Sequence, residues 1–241
     1  MPTDSHWVKW GELDPYHAVV TWDQYRKGRL SPESLAEFFE SGEEDARRLF
    51  STIHRYIRPG FAPASALDFG CGTGRVALAL ARVCSVTAVD VAPGMLREAA
   101  GNARERGITR IRFTSALDER SYDLVHSYMV FQHIPVERGL RLTAALVDRI
   151  APAGIGVLPF VYRTRAGLLR RTASGLLQKV PGMRRVLAAL RGGSPADPPM
   201  QMNAYPLERI LTLFQRRGLH TLFQYTDHGG NLGVLCYVWK E

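Results

Sequence analysis

The sequence has little that would tie it to a membrane or to an oxidising compartment. Only three of its 241 residues are cysteine, Cys71, Cys84 and Cys236. None forms a CxxC pair, and so sparse and odd a set excludes a disulfide scaffold and suits a reducing environment. No apolar run approaches the roughly 18 residues that a bilayer span requires. The opening MPTDSHWVKWGELDPYH lacks the basic start and apolar stretch of a secretory signal. The seven histidines show no HxxxH or similar spacing, so no structural metal is expected. These absences together make a cytoplasmic protein without membrane contact the expectation.

What is present is ordinary in amount and uneven in distribution. Apolar residues make up 46% and charged residues 22%, as in a globular protein. The net charge is +8. Most of it sits in one stretch: residues 163–203 hold eight Lys or Arg against one Asp, a net of +7. A length of 241 residues suits one large α/β domain with additions.

The pattern of elements supports that class. Ser31-Pro32 reads as an N-cap followed by a first-turn proline. Ser41-Gly-Glu-Glu44 fits a capping box, which predicts two helices over residues 31–60. Short buried strands are expected at 64–70, 86–91, 111–115, 122–129 and 154–162, with helices at 74–83, 93–106 and 135–150 between them. Such alternation predicts a parallel sheet covered on both faces. The basic stretch breaks the rhythm: GLLRRTASGLLQKV and MRRVLAAL read as short amphipathic helices and GGSPADPP as a connector. A helix over 205–217 and strands at 219–225 and 232–239, joined by TDHGGN, then predict a closing antiparallel hairpin.

One turn points to chemistry. Residues 67–75 read LDFGCGTGR, a strand, three glycines and the start of a helix. Glycines there let the backbone approach a ligand, and the free N–H groups of a helix start can bind it. The phosphate-binding GxxxxGK[ST] is absent, and GxGxxG would need a glycine where Arg75 stands. The pattern present is Asp68-x-Gly70-x-Gly72-x-Gly74. Cys71 reads as a small buried residue and Arg75 as a solvated helix-surface residue.

DFGCGTGR resembles the first motif of the Rossmann-like, class I S-adenosylmethionine-dependent methyltransferases, bacterial small-molecule type. The resemblance continues through Asp90 with VAPGML and through YDLVHSYMVFQHIP, and covers about residues 60–162 and 204–241. It implies a doubly wound, mostly parallel seven-stranded sheet with an antiparallel C-terminal hairpin. It implies S-adenosylmethionine as cofactor and S-adenosylhomocysteine as product. The cofactor contacts it implies are Asp68, Gly70, Cys71, Gly72, Gly74, Asp90, Val91, Met95, Ser115, Ala116, Leu117 and Ser127. Asp90 would accept hydrogen bonds from the two ribose hydroxyls, and Met95 with Leu96 would pack against adenine. The sequence departs from the family after the third strand, where Ser115-Ala116-Leu117 stand in place of an acid and Asp118 comes late. The N-terminal WGELDPYHAVVTWDQYRKG and LAEFFESGEE resemble a helical lid, which makes residues 1–60 a cap on a methyltransferase domain, 61–241, with the basic helical insertion 163–203.

Methylation of a hydroxyl needs a base, and histidine titrates near neutrality. His133 follows the fourth strand at the carboxyl end of the sheet and is the expected general base. His228, beside Asp227, is a second candidate at the site, and His126 reads as packed or paired within its strand. Tyr16, Tyr25, Arg26, Phe39, Tyr128, Gln132, Asn203 and Tyr205 are expected around the acceptor. The leading expectation is O-methylation of a small hydroxylated metabolite. N-methylation of a small amine, and RNA methylation through the basic insertion, stay open as alternatives. So does a non-catalytic module or homodimer docking through Leu168, Leu169, Leu176 and Leu177. SYMVFQ, in place of an [N/D/S]PP[Y/F/W] run, argues against nucleic acid.

Overall fold

A computed structural model describes residues 2–164 and 197–240. The two amphipathic helices expected in the basic insertion, with Leu168, Leu169, Leu176 and Leu177, lie outside the described residues.

The chain begins with α1 (Pro2–Leu13), α2 (Pro15–Val19) and the long α3 (Pro32–Tyr56). A central stretch follows: β1 (Ser65–Phe69), α4 (Ala77–Ala81), β2 (Ser85–Val89), α5 (Pro93–Glu105), β3 (Ile111–Thr114), β4 (Tyr122–Ser127), α6 (Val136–Val147) and β5 (Ile150–Arg163). After the insertion come α7 (Leu207–Gln215), β6 (His220–His228) and β7 (Asn231–Trp239). The strands form one seven-stranded sheet in the order β3-β2-β1-β4-β5-β7-β6. β1 to β5 pair in parallel, and β7 runs antiparallel between β5 and β6.

Alternation along the strands sorts the core into two layers. Ala66, Leu124, Ile155 and Tyr237 face one layer with Leu49, Ile53 and Leu80 from α3 and α4. Leu67, Val125, Leu158 and Val238 face the other, with Leu140 and Leu146 from α6 and Ile210 and Phe214 from α7. Because Leu49 and Ile53 join the main core, packing runs across residue 60. Gly229 and Gly230, at φ of 62° and 85°, turn β6 into β7, which is the left-handed geometry a two-residue hairpin loop requires.

Two local readings are corrected. α3 is one unbroken helix, not two. Its capping box is at Ser31, whose backbone N–H donates to Ser34 Oγ at 2.9 Å while Ser34 N–H donates back to Ser31 Oγ at 3.2 Å. Ser41 lies inside the helix, where its hydroxyl donates to Phe38 O at 2.7 Å. Gly42 is there because a Cβ would strike the Arg75 carbonyl oxygen. Arg75 itself is buried, not on the surface. Its guanidinium meets Asp45 at 2.7 Å and Ser41 Oγ at 3.0 Å, so tertiary contact overrides what local sequence suggests.

Candidate functional site

The strand order reverses between β1 and β4, and their carboxyl ends frame the crevice where open α/β sheets hold ligands. The glycine turn leaves β1 there. Gly70, Gly72 and Gly74 all have positive φ, at 76°, 54° and 90°. A Cβ on Gly70 would strike Val130, and one on Gly72 would come within 2.6 Å of Val19 in α2. The turn is thus closely approached on both sides. Gly70 N–H and Cys71 N–H donate to Val89 O at 2.7 and 3.0 Å, which pins it to the end of β2.

Asp90 follows directly. Its carboxylate accepts from Gly72 N–H and Ala92 N–H, both at 2.9 Å, so it ties the turn to the start of α5. Burial raises its pKa, partly offset by these two bonds. Each carboxylate oxygen retains a lone pair for a further donor. Below it, Asp68 and His126 form a buried pair, Oδ1 to Nδ1 at 2.7 Å, because the register sets them side by side on β1 and β4. His126 is therefore paired within its strand, as the sequence suggested. The Cys71 thiol is pushed well up by burial and by the charges of Asp90 and Asp68, so it is no nucleophile.

Past β4 the backbone is strained: Met129 takes φ 56°, a left-handed conformation unusual outside glycine. It leads into a one-turn helix at Phe131–His133. His133 Nδ1 lies 2.7 Å from Gln201 O. A carbonyl only accepts, so Nδ1 carries the hydrogen and Nε2 keeps its lone pair. The Gln132 side-chain amide, anchored by donating to Met129 O at 2.7 Å, lies 3.4 Å from that Nε2. The Trp7 ring centroid is 4.9 Å from that of His133. Desolvation lowers the His133 pKa, with the Gln201 bond opposing it, so the ring is neutral at pH 7.

Segments distant in sequence complete this side. Asn203 donates twice to Gln132 O, from its backbone at 2.7 Å and its side chain at 3.1 Å. Arg26 reaches Asp197 at 3.1 Å, joining the N-terminal region to the segment that returns from the insertion. Met200 packs beside Trp10 and Met95.

The sequence-predicted residues thus divide. Gln132, His133 and Asn203 come together, while Ser127 ends β4 and Tyr128 follows it. The Ser127 hydroxyl donates to Phe69 O at 2.8 Å. Tyr128 lies between Arg75 and the His126 ring. Tyr16, Tyr25 and Phe39 are spent on packing: they are buried with Phe38, Leu78 and Ala103 on the α4–α5 flank. Tyr16 also donates to Asn102 Oδ1 at 2.9 Å, and Asn102 donates to Thr73 O at 3.0 Å. Tyr205 is a core anchor, with its hydroxyl donating to Ile134 O at 2.9 Å. His228 stands at the hairpin turn on the far edge of the sheet, and Asp227 accepts from Gly230 N–H instead of orienting it. Met95 is fully buried under α1, Val91 is exposed, and Ser115 and Ala116 lie open beyond β3 with Leu117 half-buried. Asp118 is engaged by Arg112, Arg120 and the Tyr122 hydroxyl.

Sequence reasoning placed a helical cap over residues 1–60 but missed what the tryptophans of α1 touch. Trp7 touches His133, and Trp10 is 3% exposed against Ala92 and Met95. Two tryptophans at i, i+3 in WVKW were the available signal. Among the described residues no group of three metal-ligating side chains forms, and no helix is long and apolar enough to cross a membrane.

Comparison with known proteins agrees with this fold. Residues 66–154 match a family model described as a methyltransferase domain. Among curated proteins, a ribosomal protein L11 methyltransferase of Syntrophotalea carbinolica is 28% identical over 182 residues, 71% of this chain and 53% of that protein. One from Nitrosomonas europaea is 30% identical over 57% of this chain and 46% of its own length. The chain spans about half the length of these curated relatives. Among solved structures, magnesium protoporphyrin IX methyltransferase from Synechocystis PCC 6803 with bound S-adenosylhomocysteine superposes with a TM-score of 0.62. It shares 18% identity over 95% of this chain and 99% of that one. A SAM-dependent methyltransferase from Methanosarcina mazei gives 0.57 at 18% identity, over 78% and 96%. At such identity the likeness carries the fold.

Proposed function

The chain carries a methyltransferase domain of the Rossmann-like, S-adenosylmethionine-dependent kind, and from that premise we propose O-methylation of a small hydroxylated metabolite, such as a sugar or natural product, with His133 as general base. The residues present fit the cofactor. The glycine turn takes positive φ at Gly70, Gly72 and Gly74, Asp90 keeps lone pairs for two ribose hydroxyls, and the fully buried Thr73 hydroxyl has no partner among the described residues. Gly70, Gly72, Asp90 and Thr73 would hold it. When bound, S-adenosylmethionine supplies an electrophilic methyl group on a sulfonium.

The chain's own part is to place an acceptor and to take a proton. The observation that carries the reading is the fixed ring of His133. Its Nδ1–H is committed to Gln201 O, its Nε2 lone pair accepts only a long 3.4 Å bond from the Gln132 amide that an acceptor hydroxyl would displace, and burial keeps it neutral. Nε2 would take the hydroxyl proton of an acceptor, while the cofactor would supply the methyl group by cleavage of its carbon–sulfur bond and leave as S-adenosylhomocysteine. Trp7 and the Asn203–Gln132 link hold the ring in place and limit water around it.

A second reading, a protein acceptor, draws on the likeness to the ribosomal protein L11 methyltransferases. The shared half-length weakens it. The test is S-adenosylhomocysteine release, with mass spectrometry of products, over a panel of phenols, sugars, amines and ribosomal protein L11. Methyl transfer to hydroxyl acceptors supports the proposal, and transfer to L11 or to amines with none to hydroxyls overturns it.

A further inference from the structure

Among the described residues three buried side-chain atoms lack any hydrogen-bond partner: His6 Nδ1, Trp10 Nε1 and Thr73 Oγ1. Leaving a buried donor unpaired is costly, so each needs a reason. Thr73 lies in the glycine turn. Trp10 comes from outside the matched domain, in α1, and is 3% exposed with its indole nitrogen buried.

Its surroundings are specific. Trp10 packs with Ala18, Ala92 and Met95, and with Val19 at the margin. Val19 is the residue a Cβ on Gly72 would meet, so α2 sits on the glycine turn. The next residue, Gly11, abuts the start of α5: a Cβ there would lie 3.1 Å from Met95 N and 3.3 Å from Ala92 Cβ. A Cβ on Gly94 would strike Gly11 O, so neither glycine admits a side chain without moving the helix. Glu12 holds Arg97 through both carboxylate oxygens, each at 2.6 Å. The indole is thereby set against residues 92–95, directly after Asp90.

We infer that Trp10 is a cofactor-binding residue supplied by α1, its indole N–H donating to a ribose hydroxyl oxygen of the adenosyl group at Asp90. The chemistry is complementary. A hydroxyl that gives its hydrogen to a carboxylate has lone pairs left, and an indole N–H can only donate. The pairing satisfies a donor that has no partner among the described residues. It also couples cofactor binding to seating of α1, whose Trp7 touches the proposed base. The inference rests on the cofactor and not on the identity of the acceptor.

Trp10→Phe keeps an aromatic ring against Ala92 and Met95 and removes the N–H. Calorimetry with S-adenosylhomocysteine should show affinity about five- to tenfold weaker than wild type. The ligand-free variant should melt at or above the wild-type temperature, because an unpaired buried donor is gone. These opposite signs would not arise from lost packing, which lowers both. Trp22→Phe, at an exposed ring stacked on Tyr25, should bind as wild type does. Affinity of W10F within twofold of wild type overturns the inference. Should W10F fold poorly, the wild-type protein decides. In ¹⁵N spectra assigned through bonds, S-adenosylhomocysteine should shift the Trp10 indole N–H and slow its exchange, and a resonance that stays in place overturns the inference.

Discussion

The two sides of the crevice are built in different ways. The cofactor side is local and backbone-made: within residues 65–95, the end of β1, the glycine turn and Asp90 bond to one another through N–H groups and one carboxylate. The side proposed to take the acceptor is assembled from pieces far apart in sequence. His133 is held by Gln201, Gln132 by Asn203, and Arg26 by Asp197. A site divided this way can keep one ligand fixed while its other wall varies, because changing a distant segment does not disturb the turn.

The sharpest break should come at His133. His133→Asn removes the Nε2 base while leaving β1, β2 and Asp90 untouched. Turnover should fall by about 10² to 10⁴, with S-adenosylhomocysteine affinity by calorimetry within about threefold of wild type. A variant that keeps full turnover would remove the base from the mechanism. The pH profile sharpens the point. Burial lowers the His133 pKa from its ordinary 6.5, so the acid limb of turnover should lie below that value. Stability follows with a definite sign. Above pH about 6.5 the ring is neutral folded and unfolded. Below it the unfolded chain takes a proton that the folded ring resists, so stability falls as pH falls toward the lowered pKa. In H133N denaturant titrations, that part of the slope should be gone.

Asp90→Asn tests the opposite wall. The amide keeps one acceptor, and its NH2 would face Gly72 N–H or Ala92 N–H, both of which now donate to the carboxylate. With charged bonds to hydroxyls worth about 1.5–3 kcal/mol each, affinity for S-adenosylhomocysteine should drop on the order of 100-fold. Loss of less than threefold would mean that Asp90 serves only to brace the turn.

The contrast between the walls also explains what could be read in advance. Strands, hairpin and cofactor turn are encoded by short-range patterns: β-branched runs, Gly229-Gly230, and three glycines before a helix. Asp68 meeting His126 follows from parallel register once β1 and β4 are recognised as neighbours. The acceptor wall has no such code. Tyr16, Tyr25 and Phe39 are aromatic in a lid-like segment, yet α4 and α5 offered Leu78 and Ala103 for them to pack on. Tyr205 was drawn into the core beside Phe131 and Phe160, where a short residue at Gly139 makes room for its hydroxyl. Trp10 passed unnoticed because an indole at a helical period signals burial, not an unpaired donor.

Gly42 shows how far tertiary contact overrides local preference. By propensity alone, Gly42→Ala within α3 should stabilise the protein by about 1 kcal/mol. The Arg75 carbonyl reverses the sign, and overpacking there should cost about 1–3 kcal/mol in chemical denaturation. A stabilised variant would mean that α3 can shift away from Arg75, and that the Asp45–Arg75 contact does not fix its position.

The smallest effect is expected where the acceptor wall is stitched at its rim. Arg26 and Asp197 are each about one-fifth exposed, and Arg26 also lies 3.7 Å from Asp14 and 3.9 Å from Asp23. A partly solvated pair of this kind contributes about 0.2–1 kcal/mol, and the reversed charge faces Asp14, Asp23 and Asp197, so Arg26→Glu should lower the melting temperature by only a few degrees. Its consequence should fall on the acceptor: KM up a few-fold, kcat and S-adenosylhomocysteine affinity nearly unchanged, because the pair positions the returning segment that carries Gln201 and Asn203. Arg26→Glu combined with Asp197→Arg should recover part of the lost KM. The repair is partial because Asp14 and Asp23 face the new glutamate as like charges. If the single variant instead weakens cofactor affinity as much as acceptor KM, the two walls are coupled through α1 and α2, and the division between them gives way to a single closing unit.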